Sequence, residues 1–273
     1  MKDEAFTVIE GFEFKDKYLF ADLVSIMKIL RSENGCPWDK EQTHLSIRKN
    51  LIEETYEVLE AIDNIDSELL KEELGDVMLQ VIFHAEIESQ NGGFDINDVT
   101  DGICRKLIIR HPHIFSDVIA RTSEQVLLNW DEIKKQQKGH QKHTEALDCI
   151  PRILPSLMRS YKIQQKAAKV GFDWPDVSGA IEKTHEELKE LEEAIAENDV
   201  EHCKEELGDL LFATVNISRF INAEPEEALT AACDKFIKRF SIMEDSALND
   251  KLDMRDLTLA QLDELWDKAK LVL

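Results

Sequence analysis

The hexapeptide Lys-Glu-Glu-Leu-Gly-Asp occurs twice in this chain, at 71–76 and at 204–209. The copies are 133 residues apart, and the same offset turns Glu53-Glu54-x-x-Glu57 into Glu186-Glu187-x-x-Glu190. With small gaps the match extends further. Lys106 and Arg110 correspond to Lys235 and Arg239, Gly35-x-x-Trp38 to Gly171-x-x-Trp174, and Trp130-Asp131 to Trp266-Asp267. A duplicated unit of about 120 residues must fold as two copies of one supersecondary plan. The fold question therefore reduces to what one copy encodes.

Each copy encodes helices. Apolar residues recur at mixed spacings of three and four, the pattern of a core-facing helix, and the sequence holds only 10 Gly and 6 Pro. In the first half the spacing predicts helices over 18–31, 47–64, 68–90, 96–111 and 123–138. Ser67 is the expected N-cap of the third, and the Asn-Gly-Gly turn at 91–93 its stop. In the second half the expected helices are 157–169, 177–197, 200–222, 225–241 and 257–272. No segment reads as a strand. The expected class is all-α, a tandem duplication of a helical bundle. Residues 1–17 form an N-terminal extension, 18–137 the first repeat, 138–155 a polar linker ending in two prolines, and 156–273 the second repeat.

Glu54 and Glu57 are three apart and share a helix face, as do Glu73 and Asp76 on the next helix. A short connection makes the two helices antiparallel neighbours. Four carboxylates then converge without a cation in the motif. Taken singly, such a pattern in a chain with 56 acidic residues is a solvated face. Its recurrence as a pair, at equal separation in both halves, favours a site. Clustered carboxylates raise one another's pKa, and a divalent ion relieves the repulsion. An all-oxygen set suits Mg²⁺, or Mn²⁺ in its place. Read alone, His84, His111 and His113 are structural histidines. Lys40, Arg48, Arg105 and the Lys/Arg pairs are surface charges, and Trp130 and Trp266 are core or interface residues.

The formal net charge of −23 argues against a nucleic-acid groove and against anionic membranes. It is compatible with a metal-bound nucleotide. Five cysteines without a CxxC pair read as reduced thiols of a cytoplasmic protein. The N-terminus carries no apolar signal core, and no apolar run approaches a membrane span.

The doubled Glu-Glu-x-x-Glu and Glu-x-x-Asp motifs resemble the MazG family of nucleoside triphosphate pyrophosphohydrolases in its two-repeat form. So do GCPWDKEQTH at 35–44, RHPHIF at 110–115 and VGFDWPD at 170–176. The resemblance covers residues 18–273. It implies a dimeric all-α enzyme that splits NTPs to NMPs and pyrophosphate with Mg²⁺, in housekeeping or stress-related nucleotide control. Carried over, Glu187, Glu190, Glu206 and Asp209 are expected metal ligands, with Glu54, Glu57, Glu73 and Asp76 as their first-repeat counterparts. Glu186 and Glu53 are candidates to orient or deprotonate the attacking water. Lys183, Lys204, Lys235, Lys238 and Arg239 are expected around the phosphates, and Trp266 near the nucleotide. Lys183 has Asn50 as its first-repeat equivalent, which favours the second repeat as the nucleotide site. Two other readings remain open at this level. One is a non-catalytic metal- or nucleotide-binding dimerisation module. The other is a narrower pyrophosphatase for dUTP or phosphoribosyl-ATP.

Overall fold

The computed structural model describes residues 12–118, 122, 125, 126, 129, 130, 133 and 143–272. The chain divides into two compact units, 1–137 and 138–273. Regular structure among the described residues is entirely helical. None of those helices is long and apolar enough to cross a membrane.

The first unit contains α1 (Phe20–Leu30), α2 (Pro37–Glu41), α3 (Arg48–Asp63), α4 (Ser67–Gln90), α5 (Ile96–Arg110) and α6 (Pro112–Phe115). The helix expected over 123–138 lies largely outside the described residues. The antiparallel pair α3 and α4 forms the body. Met27 of α1, Ile47, and Ile82, Phe83, Ala85 and Ile87 of α4 make its core, with Ile96 of α5. Arg31 is buried at the end of α1. It donates to the Gln90 side chain at 3.1 and 3.2 Å and to the carbonyls of Asp39 and Gln42, and it lies over the Phe83 ring. One side chain thus ties α1, α2 and α4 together.

The start of α4 differs from the expected one. Asp66, not Ser67, is the N-cap, and its carboxylate accepts from the N–H groups of Glu68 and Leu69. The cause lies one residue earlier. Ile65 turns left-handed at φ 55°, which leaves Asp66 as the extended residue before the first helical one. The second unit repeats this turn, with Asn198 at φ 57° and Asp199 capping Glu201 and His202.

The second unit contains α7 (His143–Asp148), α8 (Ser156–Ala168), α9 (Val177–Glu197), α10 (Val200–Phe220), α11 (Pro225–Asn249), a 3₁₀ turn (Met254–Asp256) and α12 (Leu259–Val272). The pair α9 and α10 dominates, α8 covers α10, and α11 packs on α8 and α12. Two stretches differ from expectation. The 138–155 segment is not bare linker, since α7 lies within it and packs on α8, and Ile150 is buried. Helix α11 runs on from 241 to Asn249 because Met243 and Ala247, four apart, are buried against Leu265. No glycine or proline interrupts it.

His44, in the turn before α3, is clamped to α4. Its Nε2 lies 2.7 Å from Glu88 Oε1 and its Nδ1 2.7 Å from His84 Nδ1. Two facing Nδ1 atoms accommodate one hydrogen between them. Partial burial, and secondarily His44, push the His84 pKa below the ordinary imidazole value. The unfolded chain therefore binds more protons below about pH 6.5. Stability is complete above that pH and is lost as pH falls. Melting temperatures measured from pH 7.5 down to about 5.5 should fall more steeply for the wild type than for His84→Gln; parallel curves would refute the clamp.

A β-branched residue in the left-handed region costs about 1 kcal/mol or more. At the equivalent position the second unit has Asn198, a residue tolerant of that conformation. Ile65 is 91% exposed, so replacing it sacrifices little packing. Ile65→Asn should stabilise by about 1 kcal/mol, seen as a higher urea midpoint at unchanged slope.

Candidate metal centre

The left-handed turn between each long pair of helices sets their register, so that an acidic face of one meets an acidic face of the other. In the second unit one carboxylate oxygen each from Glu187, Glu190 and Glu206 lie within 4.8 Å of one another. In the first unit Glu54, Glu57 and Glu73 do the same. Glu187 and Glu73 are the most buried of their trios, at 6% and 9% exposure. Asp76 lies close enough to act electrostatically on Glu54 and Glu73. Asp209 is exposed beside its trio in sequence and is not one of the three converging groups.

The electrostatics of the two trios differ. In the first unit partial desolvation, then the neighbouring carboxylates, push Glu54 and Glu73 above the ordinary carboxyl range. Asp76 leads those neighbours for Glu54, and Glu57 for Glu73. In the second unit Glu190 is raised by desolvation and by Glu187, but Lys183 pulls it back. The Lys183 ammonium sits 2.8 Å from Glu186 and 2.6 Å from Glu187. These two bonds, Glu186 first, hold it protonated above the usual lysine range. Asn50 occupies the equivalent place in the first unit.

The donor set fits a hard divalent cation. It is all carboxylate, it carries excess negative charge, and its oxygens are already convergent. Oxygens bound to one Mg²⁺ lie at most about 4.2 Å apart, so a trio within 4.8 Å needs at most a small closure. Glu187, Glu190 and Glu206 would hold the ion in the second unit, and Glu54, Glu57 and Glu73 in the first.

The other expected residues are placed as follows. Glu186 lies beside the second trio, tied to Lys183, and Glu53 is its exposed counterpart. Of the expected phosphate-binding cations, Lys183 reaches a trio. Lys204 pairs with Glu201 at 2.7 Å, on a side of α10 turned away from Glu206. Lys235 and Lys238 are exposed on α11, and Arg239 is half-buried with its Nε unpartnered. Trp266 packs on Phe236, with ring centroids 5.0 Å apart, in the cluster between α11 and α12. His111 Nδ1 bonds the Leu107 carbonyl, and His113 Nδ1 is buried without a partner among the described residues.

Three features of the site escaped the sequence reading. His202 Nε2 lies 3.1 Å from Glu206, a contact that the four-residue spacing on one helix would have suggested. The glycines of the repeated hexapeptide do not serve close helix packing within the chain. A Cβ at Gly75 or Gly208 would meet no atom within 4 Å. The third is the Val-Gly-Phe-Asp-Trp loop before α9. Asp173 accepts two bonds from the Arg219 guanidinium of α10, and Trp174 lies against Gly179. No local spacing encodes that contact.

Comparison with known proteins agrees with this architecture. Residues 42–115 and 177–241 match the MazG nucleotide pyrophosphohydrolase domain. The two segments contain the two acidic constellations. The chain is 48% identical over 252 residues to the nucleoside triphosphate pyrophosphohydrolase/pyrophosphatase MazG of Thermotoga maritima, covering 92% of this chain and 96% of that one. It is 44% identical over 251 residues to the nucleoside triphosphate pyrophosphohydrolase of Escherichia coli K12, covering 91% and 95%. It is 49% identical over 252 residues to the uncharacterized protein YabN of Bacillus subtilis, covering 92% of this chain and 51% of that protein. By its doubled helical unit, its two acidic trios and these matches, the chain belongs to the MazG nucleotide pyrophosphohydrolase family.

Proposed function

We propose that this protein hydrolyses nucleoside triphosphates to nucleoside monophosphates and pyrophosphate, using Mg²⁺ or Mn²⁺. The observation that carries the reading is the convergence of three carboxylate oxygens within 4.8 Å on a pair of rigid helices. The names of the Thermotoga and Escherichia relatives support the reaction class. A bound Mg²⁺ would supply charge neutralisation on the polyphosphate and a lowered pKa for an attached water.

The chain's own residues have separable tasks. Glu187, Glu190 and Glu206 bind the ion through oxygens already oriented by α9 and α10. Glu186, exposed beside them, is the residue to which this reading gives the proton of the water that attacks the α-phosphorus. Lys183 is the movable cation. Its four-carbon stem lets it exchange Glu186 and Glu187 for a phosphate oxygen, which releases Glu186 to act as base. Lys235, Lys238 and Arg239 add positive charge along α11 for the departing pyrophosphate. The Lys183 position, held by Asn50 in the first unit, favours the second unit as the main nucleotide site.

Turnover with Mg²⁺ should release pyrophosphate. Glu187→Gln should reduce kcat by at least about a hundredfold, and Glu54→Gln by less. Release of orthophosphate only, or no turnover with either Mg²⁺ or Mn²⁺, would overturn the reading.

We also propose that the active form is a homodimer. Exposed apolar residues form stripes on the paired helices of each unit. These are Ile52, Tyr56 and Leu59 on α3, Leu74, Met78 and Val81 on α4, Ile181, Leu188 and Ile195 on α9, and Leu207 and Leu211 on α10. Solvated monomers rarely leave such contiguous faces uncovered. Gly208 lies on the Leu207–Leu211 side of α10 and faces open space. There a missing side chain permits close approach of a second copy. Light scattering should give twice the chain mass for the wild type, and Leu207→Glu with Leu211→Glu should yield monomer. A monomeric wild type would dismiss the proposal.

A further inference from the structure

Helix α9 starts earlier than its counterpart. Under the 133-residue offset, the first residue of α3, Arg48, corresponds to Ile181, whereas α9 begins at Val177. The second unit therefore has an additional helical turn ahead of its acidic residues. Gly179 sits on that turn. A Cβ there would lie 2.2 Å from Cδ1, 2.5 Å from Cγ and 2.8 Å from Nε1 of Trp174. The indole thus rests directly on the helix backbone, and it is still 37% exposed.

The loop that presents this indole is fixed at several points. Gly171 takes φ 87°. The Arg219 guanidinium, from the same helix as Glu206, grips both oxygens of Asp173. Asp173 in turn accepts the Trp174 N–H at 3.0 Å. Asp176 caps α9 by accepting from the Ser178 N–H at 2.8 Å. The indole is held in place before any ligand arrives.

Gly179, Lys183, Glu186, Glu187 and Glu190 fall within about a 100° arc of α9, given 100° per residue. The order along the axis is indole, ammonium, carboxylate trio. From Gly179 to Glu187 the axial rise is about 12 Å, and helical side chains lean toward the N-terminus, which shortens the reach to the carboxylates. That sequence of an aromatic surface, a cation and a metal-binding trio matches a nucleotide's order of base, phosphate and metal-bound phosphate. Trp266 is engaged with Phe236 between α11 and α12. In the first unit the residue aligned with Gly179 is Ser46, which precedes α3, and the one aligned with Lys183 is Asn50.

We propose that Trp174 is the base-stacking platform of the second unit's nucleotide site, built by the extra turn of α9 and its Gly179. The proposal rests on the reading of that site as an NTP pyrophosphohydrolase centre. Stacking on a flat apolar surface is tolerant of base identity and favours the larger purine surface.

The test compares wild type, Trp174→Ala, Trp174→Leu and Trp174→Phe with Mg²⁺, using ATP and dTTP as substrates and inorganic tripolyphosphate as a competitor. Trp174→Ala should raise KM by about tenfold or more, more for ATP than for dTTP, with kcat little changed. The tripolyphosphate inhibition constant should not move, because that probe has no base. Trp174→Phe should stay near wild type and Trp174→Leu should resemble Trp174→Ala. The proposal is overturned by an unchanged KM in Trp174→Ala. It is equally overturned if Trp174→Leu behaves as Trp174→Phe, or if the tripolyphosphate constant rises in step with KM, since both would mean that the indole only supports the loop. Calorimetric binding of α,β-methylene-ATP with Mg²⁺ to the same four proteins reads the stacking without turnover. Loss of hydrolysis and loss of the platform are thus separate results.

Discussion

Everything in each unit is organised around holding like charges together. Three carboxylates on two helices, converging within 4.8 Å, repel one another in the absence of a cation, and partial burial of Glu73 and Glu187 strengthens that repulsion by displacing water. The backbone compensates by leaving the helices little freedom to separate. A turn of three residues in the first unit and two in the second, each with one left-handed residue, joins them, an aspartate caps the second helix at once, and apolar residues along both helices supply the packing. The Arg31 hub in the first unit and the Asp173–Arg219 fork in the second serve the same end. They fasten the segment before the first long helix to the far end of the second.

Much of this was legible in the sequence because it is local and periodic. Apart from α11, the long helices among the described residues appear within a few residues of their expected bounds, since the mixed three and four spacing reports which face is buried. The two pairings of acidic faces follow from the same periodicity together with a short connection. Where the reading slipped, the deciding fact was not local. Ser67 is a good capping residue by type, but the left-handed Ile65 shifts the cap to Asp66. The length of α11 depends on Leu265 covering Met243 and Ala247 from another helix. The space beside Gly75 and Gly208 is open, which no spacing in the sequence reports. The contact of Trp174 with Gly179 is invisible to pattern because a loop conformation sets it.

The duplicated units have kept one plan and diverged around it. The first unit carries the His44–His84–Glu88 clamp, where the second has Ile217 and Ile221 at the positions aligned with His84 and Glu88. The second carries the additional turn of α9, the Asp173–Arg219 fork that fixes its tryptophan loop, and Lys183, while the tryptophan itself has a counterpart in Trp38. Both preserve the trio. The shared parts are those that bring carboxylates together, and the private parts are those that would determine what a bound ion is used for.

Lys183 has a further consequence. Its ammonium lies where charge must be cancelled in the second trio, so that unit carries its own counter-ion. Among the described residues the first trio shows no such partner, Asn50 standing at the aligned position, and it depends on whatever the solvent provides. Dissolved salt screens unpaired charges far more than it screens a pair already in contact. In a metal-free chain the two halves would therefore respond differently to ionic strength: the first would tighten as salt is added, and the second would scarcely change. Two copies of one acidic motif have become, through a single lysine, an ionic-strength-sensitive half and an insensitive one.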